Sequence, residues 1–253
     1  LSDIAAMGGL PLYSLVSLAL PAETEVDSVT QLYEGMVDIA QQFNLEIIGG
    51  NVSEAPSVVL TASVVGKGSA PLLTRSAAVN EERVAVTGYL GSAAAGLDML
   101  THQLKLDEES ASFLREAYLR PHPRLAEGQT LLRQGVRSAI DISDGLLQDL
   151  GHLCKMSGVG AVVKMDNLPI HPVVRTVFKD RCLNFALSGG EDYELLFTTD
   201  ESIAGIRNEM KCPVTVLGRI TSDKPGRVTL VNKEGKAIVW EDNRGWEHFS
   251  KAR

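Results

Sequence analysis

The sequence has few of the residues that form disulfide frameworks or zinc sites. It contains 3 cysteines, Cys154, Cys182 and Cys212, which lie far apart and form no CxxC pair. Its 5 histidines form no HxxxH or HExxH motif. Because disulfide-rich and zinc-binding chains need such spacings, the sequence disfavours both classes and favours a reducing, cytoplasmic location.

The sequence also lacks a basic surplus and an unbroken apolar run. Its 24 Lys and Arg against 32 Asp and Glu give a net charge of −8, which argues against general nucleic-acid binding. Residues 4–22 carry no charge, but Gly8, Gly9, Pro11 and Pro21 interrupt them. This pattern predicts a short helix followed by a buried strand, so we expect neither a membrane nor a nucleic acid as partner.

Alternating strand and helix patterns predict an α/β (α+β) fold, with mixed sheets and helices packed on them. Residues 25–43 have helical spacing, and "LEIIGGN" has the pattern of a strand that ends in its glycines. The polar stretch "SAPLLTRSAAVNEE" predicts a domain boundary. We therefore assign residues 1–70 to an N-terminal α/β domain and residues 71–253 to a C-terminal α/β domain.

Three carboxylates crowd the segment "RSAIDISDGLLQDLGHLCK". Asp141 lies within an apolar strand, where a charge is costly unless it is paired, hydrogen-bonded or metal-bound, so we predict a ligand role. Ser143 or Asp144 is expected to cap the following helix, and a capping residue can also bind a ligand. Asp149, one turn further on, is predicted to be solvated or to pack as a polar residue.

Two glycine-containing segments suggest backbone close to a ligand. In "LEIIGGNVS", Gly50 and Asn51 fit either a ligand contact or an ordinary hairpin turn. In "LSGGEDYELLF", paired glycines precede Glu191 and further acids, a pattern that indicates a site. "VTGYLGSAAAG" has no lysine and is neither a Walker A loop nor GxGxxG, so its glycines are assigned to helix packing.

Two further residues have open alternatives. Arg75 could grip a phosphate or lie on the surface, and Trp246 could pack on the body or stack on a flat ligand. "LRPHPR" is interpreted as an interhelical turn. Scattered acids without a basic run suit Mg²⁺, which commonly binds one or two carboxylates together with substrate phosphates. Magnesium–nucleotide chemistry is therefore the first functional hypothesis.

Taken together, these motifs resemble the thiamine-monophosphate kinase family, within the superfamily that includes aminoimidazole ribonucleotide synthetase and selenophosphate synthetase. The matching pieces occur in family order along nearly the whole chain: "LSDIAAMGG", "IIGGNVS", "LLTRS", "VTGYLGSAAAGL", "LRPHPR", "AIDISDGLLQDLGHL", "LSGGEDYELLF" and "GWEHF". The resemblance implies a two-domain aminoimidazole ribonucleotide synthetase-like fold. It also implies a homodimer that transfers phosphate from ATP to thiamine monophosphate with several Mg²⁺ ions and no covalent catalytic residue.

The resemblance also implies residue roles. Contacts to Mg²⁺ are implied for four positions: Asp3, Asn51, Asp141 and Asp144. Contacts to ATP are implied for Gly50, Asn51, Arg75 and Ser143. Contacts to the thiamine part are implied for Glu191, by a polar contact, and for Trp246, by stacking.

The chain departs from the family pattern in two ways. Asn51 stands where the family usually has Asp, and the family's glycine-rich, acid-bearing N-terminal segment is not in this sequence, so we expect further residues upstream. These departures keep two alternatives open. One is a non-catalytic nucleotide-binding or dimerisation module, and the other is a superfamily synthetase acting on another small molecule.

Overall fold

The structure, a computed structural model, describes residues 1–240, and the chain forms two compact units. Unit 1 comprises Leu1 and Gly9–Ser69. Unit 2 comprises Ser2–Gly8 and the chain from Ala70 onward. The division after Ser69 lies where the polar connection begins, and the first helix groups with unit 2.

Unit 1 is a three-stranded sheet accompanied by one helix. Its elements are β1 (Leu10–Leu20), α2 (Val26–Gln42), β2 (Glu46–Glu54) and β3 (Val59–Lys67). The strand order is β2-β1-β3, with β1 parallel to β2 and antiparallel to β3. The predicted helix over residues 25–43 is confirmed as α2.

The glycines of "LEIIGGN" do not end a strand or form a hairpin turn, as the sequence had suggested. Strand β2 continues through them to Glu54 and stays paired with β1, with one register shift between Ser14 and Leu15. A Cβ placed on Gly50 would lie 1.7 Å from the carbonyl oxygen of Val16. Glycine is therefore required at position 50 for the two strands to approach, whatever else the residue binds.

Unit 2 has a seven-stranded sheet in the order β10-β9-β6-β8-β4-β7-β5, antiparallel except for the β6–β9 pair. Its strands are β4 (Arg83–Thr87), β5 (Ser138–Asp141), β6 (Gly160–Lys164), β7 (Leu195–Thr199), β8 (Val214–Thr221), β9 (Val228–Val231) and β10 (Ala237–Ile238). Its helices are α1 (Ser2–Ala6), α3 (Ser92–Thr101), α4 (Glu108–Leu119), α5 (Leu125–Arg133), α6 (Leu146–Ser157), α7 (Pro172–Phe178), α8 (Arg181–Ser188) and α9 (Ile203–Glu209). Both units are mixed α/β, as predicted.

The leucine stripe of α6 is at the centre of the unit 2 core. Leu146, Leu150 and Leu153 are all 0% exposed, as their helical spacing predicts. Gly158 ends the helix in the left-handed conformation, at φ +68°. Helices α8 and α9 were not predicted, because the first is short and the second has few apolar residues.

The close approach of β1 and β2 gives a stability prediction. Gly50→Ala is expected to lower the free energy of unfolding by about 1–3 kcal/mol, because its Cβ overlaps the backbone of Val16. Gly35→Ala is the control, because Gly35 lies within α2 with nothing near its Cβ, and this change should raise stability by up to about 1 kcal/mol. Urea unfolding curves measure both, and equal effects of the two changes would contradict the account.

Candidate active site

Two loops lie side by side where β5 ends and β7 begins. We call residues 141–145 the DISDG loop and residues 189–193 the GGEDY loop. The strand pairing of Asp141 with Leu195 continues into them, because Ile142 N donates to Glu194 O at 2.9 Å and Tyr193 N donates to Ile142 O at 2.9 Å. The sheet therefore fixes the position of one acidic loop against the other.

Glycines and unusual backbone angles allow this close contact. A Cβ on Gly190 would lie 2.3 Å from Ser143 O, the atom that accepts the N–H of Glu191 at 3.0 Å. Gly145 has φ +115° and packs against the backbone of Ser188. Glu191 and Tyr193 also have positive φ, +66° and +49°, and such strain in non-glycine residues is concentrated at functional sites.

Asp141 is the most deeply buried of the predicted ligands, at 4% exposure. Burial raises the pKa of its carboxyl group and the charge of Asp3 raises it further, while Ser2 and Arg75 act in the opposite direction. The side chain lies on the strand face opposite the core residues Ile140 and Ile142, as alternation predicts. A buried carboxylate beside a second carboxylate is a suitable environment for a cation.

Several acidic residues lie within electrostatic range of Tyr193. Burial raises the pKa of its hydroxyl group, and so do the charges of Glu191, Asp141, Asp3 and Asp144. Four carboxylates from three separate parts of the chain therefore lie within electrostatic range of one tyrosine. Sequence reasoning did not single out Tyr193, although it lies inside the acid-rich motif.

The other predicted site residues are distributed as follows. Arg75 is exposed within unit 2 and close enough to Asp141 to affect its pKa. Gly50 and Asn51 are exposed on β2 of unit 1. Trp246 lies outside the described residues. None of these placements tests a binding role, so all of those roles stay predictions.

The acids of unit 2 fit a magnesium site that substrate phosphates complete. In the described part of the chain, no group of three or more His, Cys, Asp or Glu side chains could hold a metal ion. Asp3 and Asp141 nevertheless supply two neighbouring carboxylates. Two carboxylates are what Mg²⁺ commonly takes from a protein when phosphates provide the remaining ligands.

Asp149 holds the DISDG loop in place. The prediction that Ser143 or Asp144 caps helix α6 is wrong. The N-cap residue of α6 is Gly145, and it makes no side-chain cap. Instead, Asp149 Oδ2 accepts the N–H groups of residues 143, 144 and 145 at 3.0, 3.0 and 3.1 Å. Asp149 is only 3% exposed, so its predicted polar packing is confirmed, and the carboxylate of Asp144 is free of the capping role.

The GGEDY loop is held on its other side by a buried ion pair that the sequence did not reveal. Arg124 donates to Glu194 through Nε at 2.7 Å and through Nη2 at 2.6 Å, and Thr87 Oγ1 donates to the same carboxylate at 2.6 Å. Burial alone would lower the pKa of Arg124, but Glu194 raises it. The "LRPHPR" segment is the predicted interhelical turn, and its last arginine anchors the start of β7.

Asp192 fixes the middle of the same loop. Its carboxylate accepts the N–H of Gly91 at 2.6 Å and of Ala93 at 3.1 Å, at the first turn of α3. Burial raises the pKa of Asp192 to about 7, although these N–H groups lower it. Glu191 is thereby left exposed beside the DISDG loop, while its neighbour is tied to the scaffold.

No helix within residues 1–240 combines the length and the apolar character needed to cross a membrane.

Comparisons with known proteins agree on one family. Residues 1–68 match the family model described as AIR synthase related protein, N-terminal domain. The chain is 36% identical to the thiamine-monophosphate kinase of Escherichia coli O157:H7 over 99% of this chain and 77% of that protein. It is 35% identical to the thiamine-monophosphate kinase of Bacillus subtilis strain 168, over 98% of this chain and 78% of that protein.

A solved structure agrees with the sequence relatives. The structure of AaThiL complexed with AMPPCP and TMP superimposes with a TM-score of 0.85 at 30% identity. The match covers 98% of this chain and 77% of that one. The predicted superfamily fold is therefore confirmed.

The burial of Asp149 gives a prediction of how stability depends on pH. Burial raises its pKa from 3.8 to about 7, so between these values the folded state holds a proton that the unfolded state has released. The free energy of unfolding should therefore fall as pH rises through about 7. Asp149→Asn keeps an oxygen acceptor without a titrating group, so its stability relative to the native protein should rise from about pH 4 to about pH 7 and then level off. Urea unfolding in EDTA over this range measures the difference, and parallel profiles for the two proteins would contradict the assignment.

Proposed function

The chain belongs to the thiamine-monophosphate kinase family, and we propose that it transfers the γ-phosphoryl group of ATP to thiamine monophosphate. An oxygen of the acceptor's phosphate attacks the γ-phosphorus, the bond to the β-phosphate oxygen breaks, and ADP leaves. The products are thiamine diphosphate and ADP. The observation that carries the proposal is that the carboxylates of Asp3, Asp141, Asp144 and Glu191 all lie within electrostatic range of Tyr193, in a chain whose relatives bear this name.

Such a transfer requires the protein mainly to position the two substrates and to neutralise the charge of their phosphates. The attacking and leaving oxygens must lie in line. No covalent intermediate on a side chain is required, and we assign no nucleophilic residue. Asp3, Asp141, Asp144 and Asn51 would hold Mg²⁺, which supplies charge neutralisation between the two phosphorylated substrates. Asn51, on β2 of unit 1, would offer Mg²⁺ an amide oxygen without a negative charge.

The remaining predicted residues would hold the substrates. Ser143 and Arg75 would contact ATP, Ser143 from the DISDG loop and Arg75 as an exposed cation near Asp141. Gly50 would meet the nucleotide on β2, together with Asn51. Glu191 and Trp246 would hold the thiamine part.

Two observations favour the kinase over the alternatives. The relatives at 35–36% identity are thiamine-monophosphate kinases, and the solved relative was captured with AMPPCP and TMP together. A non-catalytic module would bind ATP without forming thiamine diphosphate, and another synthetase of the superfamily would bind an aminoimidazole precursor in preference to thiamine monophosphate. Measuring ADP release with thiamine monophosphate and Mg²⁺, with competition by each compound, separates the three.

We further propose that the protein acts as a homodimer. One face of the unit 1 sheet carries four exposed apolar side chains: Tyr13 at 42%, Leu15 at 45%, Val59 at 52% and Val65 at 55% exposure. These side chains share a face because paired residues on neighbouring strands point the same way. Exposed apolar patches of this kind mark contact surfaces, and the family resemblance assigns this one to a second subunit.

A cytoplasmic location completes the proposal. Cys154, Cys182 and Cys212 are all free thiols, which fits a reducing compartment.

The two acids of the DISDG loop give the activity prediction. Asp141→Asn and Asp144→Asn should each lower the rate of thiamine diphosphate formation by about 100-fold or more, because each removes a charge that would neutralise the phosphates through Mg²⁺. Circular dichroism should show an intact fold. Asp223→Asn, which alters an exposed turn, is the control and should leave the rate unchanged. Normal turnover of either loop variant at saturating Mg²⁺ would remove that residue from the site.

The molar mass of the protein in solution tests whether it forms a dimer. Light scattering after gel filtration should give twice the mass of one chain for the native protein, and Leu15→Asp should halve it by placing a charge on the apolar face. Val79→Asp alters an exposed valine of unit 2, at 59% exposure, and should leave the dimer intact. A native protein with the mass of one chain would contradict the proposal.

A further inference from the structure

The first turn of helix α6 reaches back to the DISDG loop at two points. Asp149 accepts the backbone N–H groups of residues 143, 144 and 145 through Oδ2, at 3.0, 3.0 and 3.1 Å. The preceding residue, Gln148, donates from Nε2 to Asp144 Oδ2 at 3.0 Å. One residue of α6 therefore restrains the backbone of Asp144, and its neighbour restrains the carboxylate.

The N–H groups that Asp149 engages form the kind of surface that binds phosphate in many proteins. Successive N–H groups at a turn make a concave, positive site for an anion. Here a carboxylate of the protein, at 3% exposure, already accepts all three hydrogen bonds. These donors are thus not available to a substrate phosphate. The DISDG loop has to meet a phosphate through its side chains and through a cation that they hold.

The loop needs such restraints because glycine stands at its end. Gly145 has φ +115° and makes no side-chain cap to α6, and glycine restricts the backbone less than any other residue. On the other side, Ser143 O accepts the N–H of Glu191 at 3.0 Å, which ties the loop to the GGEDY loop. Asp144 lies between these two points, and Gln148 and Asp149 restrain it directly.

We propose that Asp149 and Gln148 are positioning residues for magnesium binding at Asp144. They act through Asp144, and no contact with a substrate is assigned to either. Metal ligands in proteins are commonly oriented by such outer hydrogen bonds, and loss of one costs about 10- to 100-fold in metal affinity or activity. The inference rests on the proposed function for the role of Asp144 as a Mg²⁺ ligand.

The test measures how much Mg²⁺ the protein requires. Asp149→Ala leaves three N–H groups without their acceptor, so the Mg²⁺ concentration for half-maximal rate should rise by about 10-fold or more. The rate at saturating Mg²⁺ should stay within about 3-fold of the native rate, because the ligand itself is still present. Calorimetry should show an equal loss in the Mg²⁺-dependent binding of AMPPCP, a readout that needs no turnover.

Asp149→Asn is the conservative variant. Its side-chain oxygen still accepts the N–H groups, so its Mg²⁺ requirement should lie within about 3-fold of the native value. If Asp149→Asn is impaired as strongly as Asp149→Ala, the charge of Asp149 matters and its hydrogen bonds do not, which overturns the positioning role.

Leu153→Ala is the control for lost stability. Leu153 lies one turn further along α6 within the core and is 0% exposed, so the change destabilises the fold by opening a cavity. The Mg²⁺ requirement of this variant should equal that of the native protein. A rise as large as that in Asp149→Ala would show that lost stability alone produces the effect and would overturn the proposal.

Gln148→Ala keeps the question open to test if Asp149→Ala does not fold. Gln148 is only half-buried, and the change removes the amide that bonds to Asp144 while the hydrogen bonds of Asp149 stay in place. Its Mg²⁺ requirement should rise by about 3-fold or more, as expected for one lost hydrogen bond. An unchanged requirement in either folded variant removes that residue from the positioning role.

Failure of this inference and failure of the proposed function give different results. A native protein that binds AMPPCP with Mg²⁺ but never forms thiamine diphosphate overturns the proposed function. The binding of AMPPCP by the variants then still decides whether Asp149 and Gln148 are positioning residues. A native protein that does not bind AMPPCP at any Mg²⁺ concentration overturns both.

Discussion

The antiparallel pairing of β5 with β7 is the constraint on which the rest of the site depends. The pairing does not stop where the strands end, because the backbone of Ile142 bonds to residues 193 and 194 on the neighbouring segment. Two acidic loops separated by about fifty residues of sequence are thereby fixed in register, as hydrogen-bonded pairing requires. Without this pairing, the two loops that carry carboxylates near Tyr193 would have no fixed position relative to each other.

The acids of unit 2 divide into those that build the loops and those that face a ligand. Asp149, Asp192 and Glu194 each accept several hydrogen bonds from the protein itself. A carboxylate engaged in this way is a structural element, and its removal leaves donors unsatisfied. Asp141 and Glu191 are not engaged in this way and are available for cations and substrate. This division suits phosphoryl transfer, because that reaction requires accurately positioned charges and little covalent chemistry from the protein.

Part of this arrangement could be predicted from the sequence because its causes are local. The spacing of Leu146, Leu150 and Leu153 fixes the face of α6, and alternation along β5 places Asp141 away from the core. The rest depends on partners distant in the chain. Nothing near Arg124 indicates that it pairs with Glu194, 70 residues away. The misassigned cap has a different cause: Gly145 is the N-cap residue, and Asp149 within the helix accepts the N–H groups of residues 143–145. A hairpin turn is an open alternative for Gly50 in the sequence because the neighbouring strand that requires glycine there cannot be seen in one segment.

The central claim is that phosphate passes directly from ATP to thiamine monophosphate at the acids of the DISDG and GGEDY loops. The most direct measurement uses ATP whose γ-phosphoryl oxygens are isotopically labelled, with mass spectrometry of the products. The account predicts that the label appears in thiamine diphosphate in step with ADP and only when Mg²⁺ is present. Label found in inorganic phosphate, with thiamine monophosphate unchanged, would contradict it.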